Sequence, residues 1–192
     1  MIHVPEHIRG LIFDCDGTLV DSMPLHMEAW EHAIVGMGGE WVPEFFFSKK
    51  GMQAGDIVVE YNRQFGMAFD VAHTIGVKHE YFQKYKDRVK PIRHVVDVVL
   101  RYKHILPMAV ASGGTRENVV SQLEGAGIRN MFKVILTADD DVKPKPNPEI
   151  FLRSAELMGV PPTSCLVFED GELGIEAAQK AGMQWNDVRR AD

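Results

Sequence analysis

"GLIFDCDGTLVDS", residues 10–22, runs from an apolar stretch into two acids one residue apart, Asp14 and Asp16, and then a glycine. The apolar part reads as a buried strand, and the acids stand where it ends. Three later segments have the same build: "PMAVAS" at 107–112, "KVILTA" at 133–138 and "CLVFED" at 165–170, with a weaker fifth, "MQWNDV", at 183–188. Helical patterns separate them. Val119, Val120 and Leu123 form one, stopped by Gly125 and Gly127; another has Asn147 as N-cap, Pro148 at the first helical position and Gly159 as its stop. Strand and helix alternate, which predicts an α/β protein with a doubly wound, Rossmann-like parallel sheet and helices on both faces.

Ligands of such sheets bind beyond the carboxyl ends of the strands. The candidates are therefore Asp14 and Asp16 after the first strand, Ser112, Gly113 and Gly114 after the second, Asp139 to Asp141 with Lys143 and Lys145 after the third, and Glu169 with Asp170 after the fourth. Residues 23–87 break the rhythm. They carry helix-like segments ("PLHMEAWEHAIVGMG", "GDIVVEYNRQF", "VKHEYFQKYKDRV") with no strand pattern between them. A helical insertion after the first strand is expected, with residues 1–22 and 88–192 forming the core domain.

Composition narrows the function class. The chain has 192 residues, 45% of them hydrophobic, and a net charge of −6. That length supports one good core plus a smaller unit, and the acidic balance argues against nucleic acid or an anionic membrane as partner. The two cysteines, Cys15 and Cys165, lie in apolar runs and not at metal-clamp or disulfide spacings. No apolar stretch reaches membrane-spanning length, and "MIHVPEHIRG" lacks the form of a signal peptide. A cytoplasmic monomer is the expectation.

Several carboxylates, a hydroxyl beside two glycines and a lysine are thus predicted at one sheet edge. Crowded carboxylates raise one another's pKa. A hard divalent cation resolves the conflict, and magnesium takes one or two carboxylates, waters and a substrate phosphate. The Ser112 hydroxyl, the N–H groups of the Gly113–Gly114 turn and a lysine are what a phosphate needs opposite the metal. In such a phosphoryl-transfer site one carboxylate attacks phosphorus and a second, two positions on, moves the proton. On extended backbone both face the same side. The plain alternatives are a strand-end Asx turn for Asp14 and Asp16, a helix cap for Ser112, and a solvated loop for Asp139 to Asp141. Cys15, between the acids, should face the core.

With these motifs in order, the sequence resembles the haloacid dehalogenase superfamily of aspartate-nucleophile phosphotransferases, over nearly its whole length. DxDGT is Asp14-Cys15-Asp16-Gly17-Thr18, the strand-end hydroxyl is Ser112 in "VASGG", the lysine of KPxPxxF is Lys145 in "KPNPEIF", and the acidic pair is Glu169-Asp170 in "VFEDGELGIEAAQKAGM". The resemblance implies Asp14 as nucleophile, Asp16 as acid/base and backbone-carbonyl metal ligand, and Ser112, Gly113 and Lys145 as holders of the phosphate. It implies Mg2+ on Asp14, Asp16 and Asp170 with Glu169 in support. It assigns the inserted helices, 23–87, to a cap that closes over small phosphorylated metabolites, hinged near residues 20–23 and 87–93.

Within the superfamily the chain is similar to the β-phosphoglucomutase-like group, which includes fructose-1-phosphate phosphatases. "VDSMPLHMEAW" keeps that group's Ser22, His26 and Trp30, and "KKGMQAGDIV" aligns with its cap loop. His26 and Lys78 are implied near the substrate, with a packed histidine and a solvated lysine as the plain alternatives. Ala54 stands where the mutases carry an arginine for a second phosphate, and no arginine lies between Trp41 and Asn62. The expected activity is therefore a magnesium-dependent sugar-phosphate phosphatase. A β-phosphoglucomutase is the alternative. A non-enzymatic phospho-receiver is more remote, because such domains accept phosphate after the third strand and lack a cap.

Overall fold

The computed structural model describes residues 2–49 and 52–189. Its centre is a five-stranded sheet of β1 (Gly10–Phe13), β4 (Met108–Ala111), β5 (Val134–Leu136), β6 (Cys165–Glu169) and β7 (Gln184–Asp187), in the order β5-β4-β1-β6-β7. Every pairing in it is parallel. The protein is an α/β Rossmann-like fold. Alternation along the strands explains the layering. Leu11, Phe13, Met108, Val110, Leu166 and Phe168 face one apolar cluster, shared with α5 (Arg93–Tyr102) and α6 (Arg116–Gly125). Ile12, Ala109, Ala111 and Val167 face the other, against α7 (Glu149–Met158) and α8 (Glu172–Lys180).

The strand order places a switch point at the centre. After β1 the chain winds to β4 and β5 on one side, and after β6 it winds to β7 on the other. The connections leaving β1 and β6 diverge, so a crevice opens where these neighbours end. Asp14 stands there at the end of β1, its N–H donating to the Phe168 carbonyl of β6 at 3.0 Å, directly before Glu169 and Asp170.

Between β1 and β4 lie α1 (Met23–Gly36), α2 (Pro43–Ser48), α3 (Ala54–Phe65) and α4 (Val71–Tyr85). They bury an aromatic cluster of their own, including Trp30, Phe45, Phe46 and Tyr61. The two chain passages between this bundle and the sheet pair as an antiparallel ribbon, β2 (Val20–Asp21) with β3 (Lys90–Pro91). Among the described residues no helix is long and apolar enough to cross a membrane.

The sequence reading assigns nothing to α2, α5 or the β2–β3 ribbon, and it starts α7 one residue early. The short α2, "PEFFFS", has consecutive aromatics and so no helical period to read. Its Phe45 and Phe46 are nevertheless both buried. Helix α5, "RHVVDVVLRY", is rich in β-branched valine, a strand-like composition. Burial of Val95, Val98 and Val99 on one stripe decides for the helix. Helix α7 starts at Glu149, one residue past the expected position, while the Asn147 side chain still accepts from the Glu149 N–H at 3.0 Å.

Candidate active site

Two close approaches explain the glycines of the acidic motifs. Gly17 has φ +87, and a Cβ there would fall 2.4 Å from Asp170 Oδ2. The turn instead packs onto Asp170, with the Thr18 hydroxyl donating to Asp170 Oδ1 at 3.0 Å. A Cβ at Gly174 would fall 1.8 Å from Glu169 Oε1. Only glycine admits these two carboxylates to the sheet edge.

The Lys145 ammonium reaches Asp14 Oδ1 at 2.7 Å and Glu169 Oε1 at 2.6 Å, and all three residues are buried. Burial alone would lower the Lys145 pKa; Asp14 and Glu169 outweigh it and hold it above the usual lysine range. The Gly171 N–H donates to Glu169 Oε2 at 2.8 Å. Asp14, Glu169 and Asp170 present carboxylate oxygens within 4.8 Å of one another. Burial pushes the Asp14 carboxyl well above its ordinary value; Lys145 opposes this, and Glu169 and Asp170 add to it. That conflict and the all-oxygen donor set fit a hard cation. The Asp16 carboxylate is not in the group, which leaves its main-chain carbonyl as the contribution assigned to it from the sequence.

The Asp16 side chain points into a different set of partners. Its Oδ1 accepts from the Ser22 hydroxyl at 2.5 Å and the Gln122 amide at 3.0 Å, and lies 3.0 Å from His26 Nε2. Lys78 Nζ lies 3.1 Å from His26 Nδ1. An ammonium can only donate, so Nδ1 accepts and Nε2–H faces Asp16. The His26 ring stacks on Phe82 at 4.3 Å, and Lys78 lies over the Trp30 ring at 5.3 Å. Burial, and after it Lys78, holds the His26 pKa below its usual value. Burial pushes Lys78 down to about 8. For Asp16, burial is outweighed by His26, Ser22 and Gln122, which hold the carboxyl well below the carboxylate range.

These groups share one cavity of ≈ 350 Å³. Asp14, Asp16, Ser112, Gly113, Lys145, Glu169 and Asp170 line it from the sheet, and His26 and Lys78 from the helices. Ser112 is buried, and its Oγ accepts from the Gly114 N–H at 3.1 Å. The far wall is mostly apolar, with Met27, Trp30, Phe46 and Ile57, and it carries Lys49 and Ala54. Residues 50 and 51 of the loop "KKGMQAGDIV" lie outside the described residues. Lys143 does not line the cavity, and its N–H donates to Glu149 Oε2 at 3.2 Å. Asp139 and Asp140 bind Arg116 and the Thr137 turn, away from the carboxylate group.

Gln122 and Asn118 also stand at the site, and the sequence reading did not single them out. Gln122 and Asn118 are buried on α6, and Asn118 lines the cavity. Asn118 Oδ1 accepts from Gln83 of α4 at 2.6 Å, and His79 Nε2 lies 3.5 Å from Glu117 Oε2 beside it. Gln122 and Asn118 read as ordinary polar helix residues; Gln122 finds its partners in Cys15 and Asp16, and Asn118 only through the docking of α4 against α6.

Comparison with known proteins agrees with this geometry. A family model for haloacid dehalogenase-like hydrolases matches residues 8–182. The chain is 35% identical over 188 residues to fructose-1-phosphate phosphatase YqaB of Escherichia coli (strain K12), covering 96% of this chain and 98% of that one. It is 28% identical to validoxylamine A 7'-phosphate phosphatase of Streptomyces hygroscopicus subsp. limoneus, covering 90% and 81%. The crystal structure of β-phosphoglucomutase from Clostridium difficile superposes with a TM-score of 0.84 at 24% identity, covering 93% of this chain and 83% of that one, a likeness of fold. The chain belongs to the haloacid dehalogenase-like hydrolase family.

Proposed function

We propose that the protein is a magnesium-dependent phosphatase of a small phosphomonoester, a sugar phosphate such as fructose 1-phosphate, acting through an aspartyl-phosphate on Asp14. The observation that carries this reading is the placing of Asp14. It is buried at the switch point, bonded to Lys145 at 2.7 Å, and shares its cavity with Asp16 and the Ser112–Gly114 turn. The phosphatase relatives of known name support the reaction class. In this reading residues 1–22 and 88–192 are the core, and residues 23–87 are the cap that shuts the cavity from water.

Each residue then has a task. Asp14 attacks phosphorus, a bond forms from its carboxylate oxygen, and the bond from phosphorus to the sugar oxygen breaks. Asp16, ionised in the empty site, takes up a proton with the substrate and gives it to that oxygen, and afterwards takes one from the water that attacks the aspartyl-phosphate, releasing phosphate and restoring Asp14. Ser112, the Gly113–Gly114 N–H groups and Lys145 hold the phosphate oxygens. His26 and Lys78 orient Asp16 from the cap side. Asp14, Asp170 and the Asp16 carbonyl would hold Mg2+, with Glu169 in support; the ion supplies charge neutralisation of the phosphate and relieves the repulsion among the acids.

One observation favours the mutase as a second reading. Lys49 lines the cavity from the cap, and its nearest acid, Glu60 at 3.9 Å, is already held at 2.6 Å and 3.0 Å by Arg63. A weakly paired cation there suits a second phosphate. Phosphate release over a panel of sugar phosphates with Mg2+, with Asp14→Asn as the blank, tests the phosphatase. β-Glucose 1-phosphate with a trace of the bisphosphate, converted to glucose 6-phosphate with no free phosphate, would show the mutase instead.

A further inference from the structure

We propose that Gln122 is a positioning residue that holds the Asp16 side chain so that Oδ2 faces the reacting group; this rests on Asp16 being the acid/base group. The Asp16 carboxylate is used unequally. Oδ1 takes three contacts, Ser22 at 2.5 Å, Gln122 at 3.0 Å and His26 at 3.0 Å, whereas Oδ2 receives no hydrogen bond among the described residues. Oδ2 lies against the glycine turn of the cavity, so near that a Cβ on Gly114 would sit 3.2 Å from it. The three donors pin Oδ1 and leave Oδ2 free to face the cavity that Asp16 lines. Oδ2 is thereby the oxygen presented to the leaving group.

Gln122 suits this task because its amide has only one workable orientation. It is 5% exposed, and Cys15 Sγ lies 3.1 Å from Oε1 on the side away from Asp16. The thiol is a weak acceptor but can donate, and the carboxylate can only accept. The amide must therefore turn Oε1 to Cys15 and its NH₂ to Asp16. Cys15, the residue between the two acids, acts on one of them through Gln122. Ser22 stands directly before α1 and His26 lies on α1, whereas Gln122 belongs to α6 of the sheet layer. Of the three contacts, Gln122 alone comes from a helix of the sheet layer.

The test compares leaving groups. Expulsion of a sugar alkoxide needs the Asp16 proton, whereas p-nitrophenolate leaves without one. Gln122→Met keeps the volume and removes the donor. In kcat/KM, which reports steps up to the first bond cleavage, we expect a fall of about 10–100-fold for the fastest sugar phosphate of the panel, part of the full worth of a general acid. For p-nitrophenyl phosphate the change should stay within about three-fold. Should Gln122→Met fail to fold by circular dichroism, Cys15→Ala carries the test, with the same selectivity at smaller size. A parallel fall for both substrates, or none for either, overturns the proposal. A wild type that releases phosphate from neither substrate overturns the phosphatase reading beneath it.

Discussion

Lys145 Nζ stands 2.7 Å from Asp14 Oδ1, with its other contact at 2.6 Å to Glu169, so one ammonium holds two buried carboxylates at the end of the β1–β6 pair. Removing one partner of such a buried cluster strands the rest. Lys145→Met should lower phosphate release by about a thousand-fold or more, through lost stabilisation of the transferring phosphoryl group. In urea unfolding without metal it should cost about 3–5 kcal/mol. Added Mg2+ should recover part of the stability but not the activity.

Asp14→Asn should separate activity from stability. The folded Asp14 keeps its proton to higher pH than the unfolded chain, chiefly through burial. Above the unfolded value, about 4, the folded state binds more protons, so stability falls as pH rises towards the raised folded pKa. Without metal, the variant should therefore show a flatter decline in Tm between pH 4 and 7 than the wild type, with no turnover. Mg2+ should raise the wild-type Tm more than that of the variant. A variant no more stable than wild type at pH 7, without metal, would refute the burial argument.

The strands and the four motifs were legible because each strand is a short apolar run ended by the polar groups it delivers, as with Phe13 before Asp14 and Phe168 before Glu169. Phe13 and Phe168 even pair in register and stack at 4.6 Å. What could not be read were the elements and contacts that depend on docking. The ribbon of Val20–Asp21 with Lys90–Pro91 joins positions about 70 residues apart, two residues from each side. Such a pair is too short to carry a pattern. Gln122 and Asn118 read as ordinary polar helix residues until α6 sets them beside Asp16 and Gln83.

Lys78 gives the site a pH dependence on the alkaline side. With its pKa pushed down to about 8 by burial, the ammonium that donates to His26 Nδ1 is present below that pH and lost above it. The tautomer that points Nε2–H at Asp16 loses its support at the same point. The kcat/KM profile should fall above pH 8 in the wild type. Lys78→Arg keeps the charge, and in it this limb should move up by at least about one unit. Lys78→Met should have lost about ten-fold at pH 7 and show no such limb. An identical alkaline limb in all three proteins would assign it to another group.

The contact between α4 and α6 is made of side-chain polar pairs, Gln83 with Asn118 at 2.6 Å and His79 with Glu117 at 3.5 Å. The buried apolar residues of the two helices belong to separate clusters, with the half-buried Val89 packed against both. A polar junction exchanges its hydrogen bonds for water at a net cost of only about 1 kcal/mol each, which suits the opening and closing that the proposed cap requires. Gln83→Ala and Asn118→Ala should each raise KM for the sugar phosphate by about three- to ten-fold, since closure pays less of the binding energy. The double variant should be little worse than either single one, because both remove the same bond. Spin labels on Glu80→Cys and Glu124→Cys, exposed positions of the two helices, should report a short, narrow distance distribution in the parent. In the Gln83→Ala background it should broaden to longer distances. Additive effects on KM together with an unchanged distribution would remove this pair from the closing of the cavity.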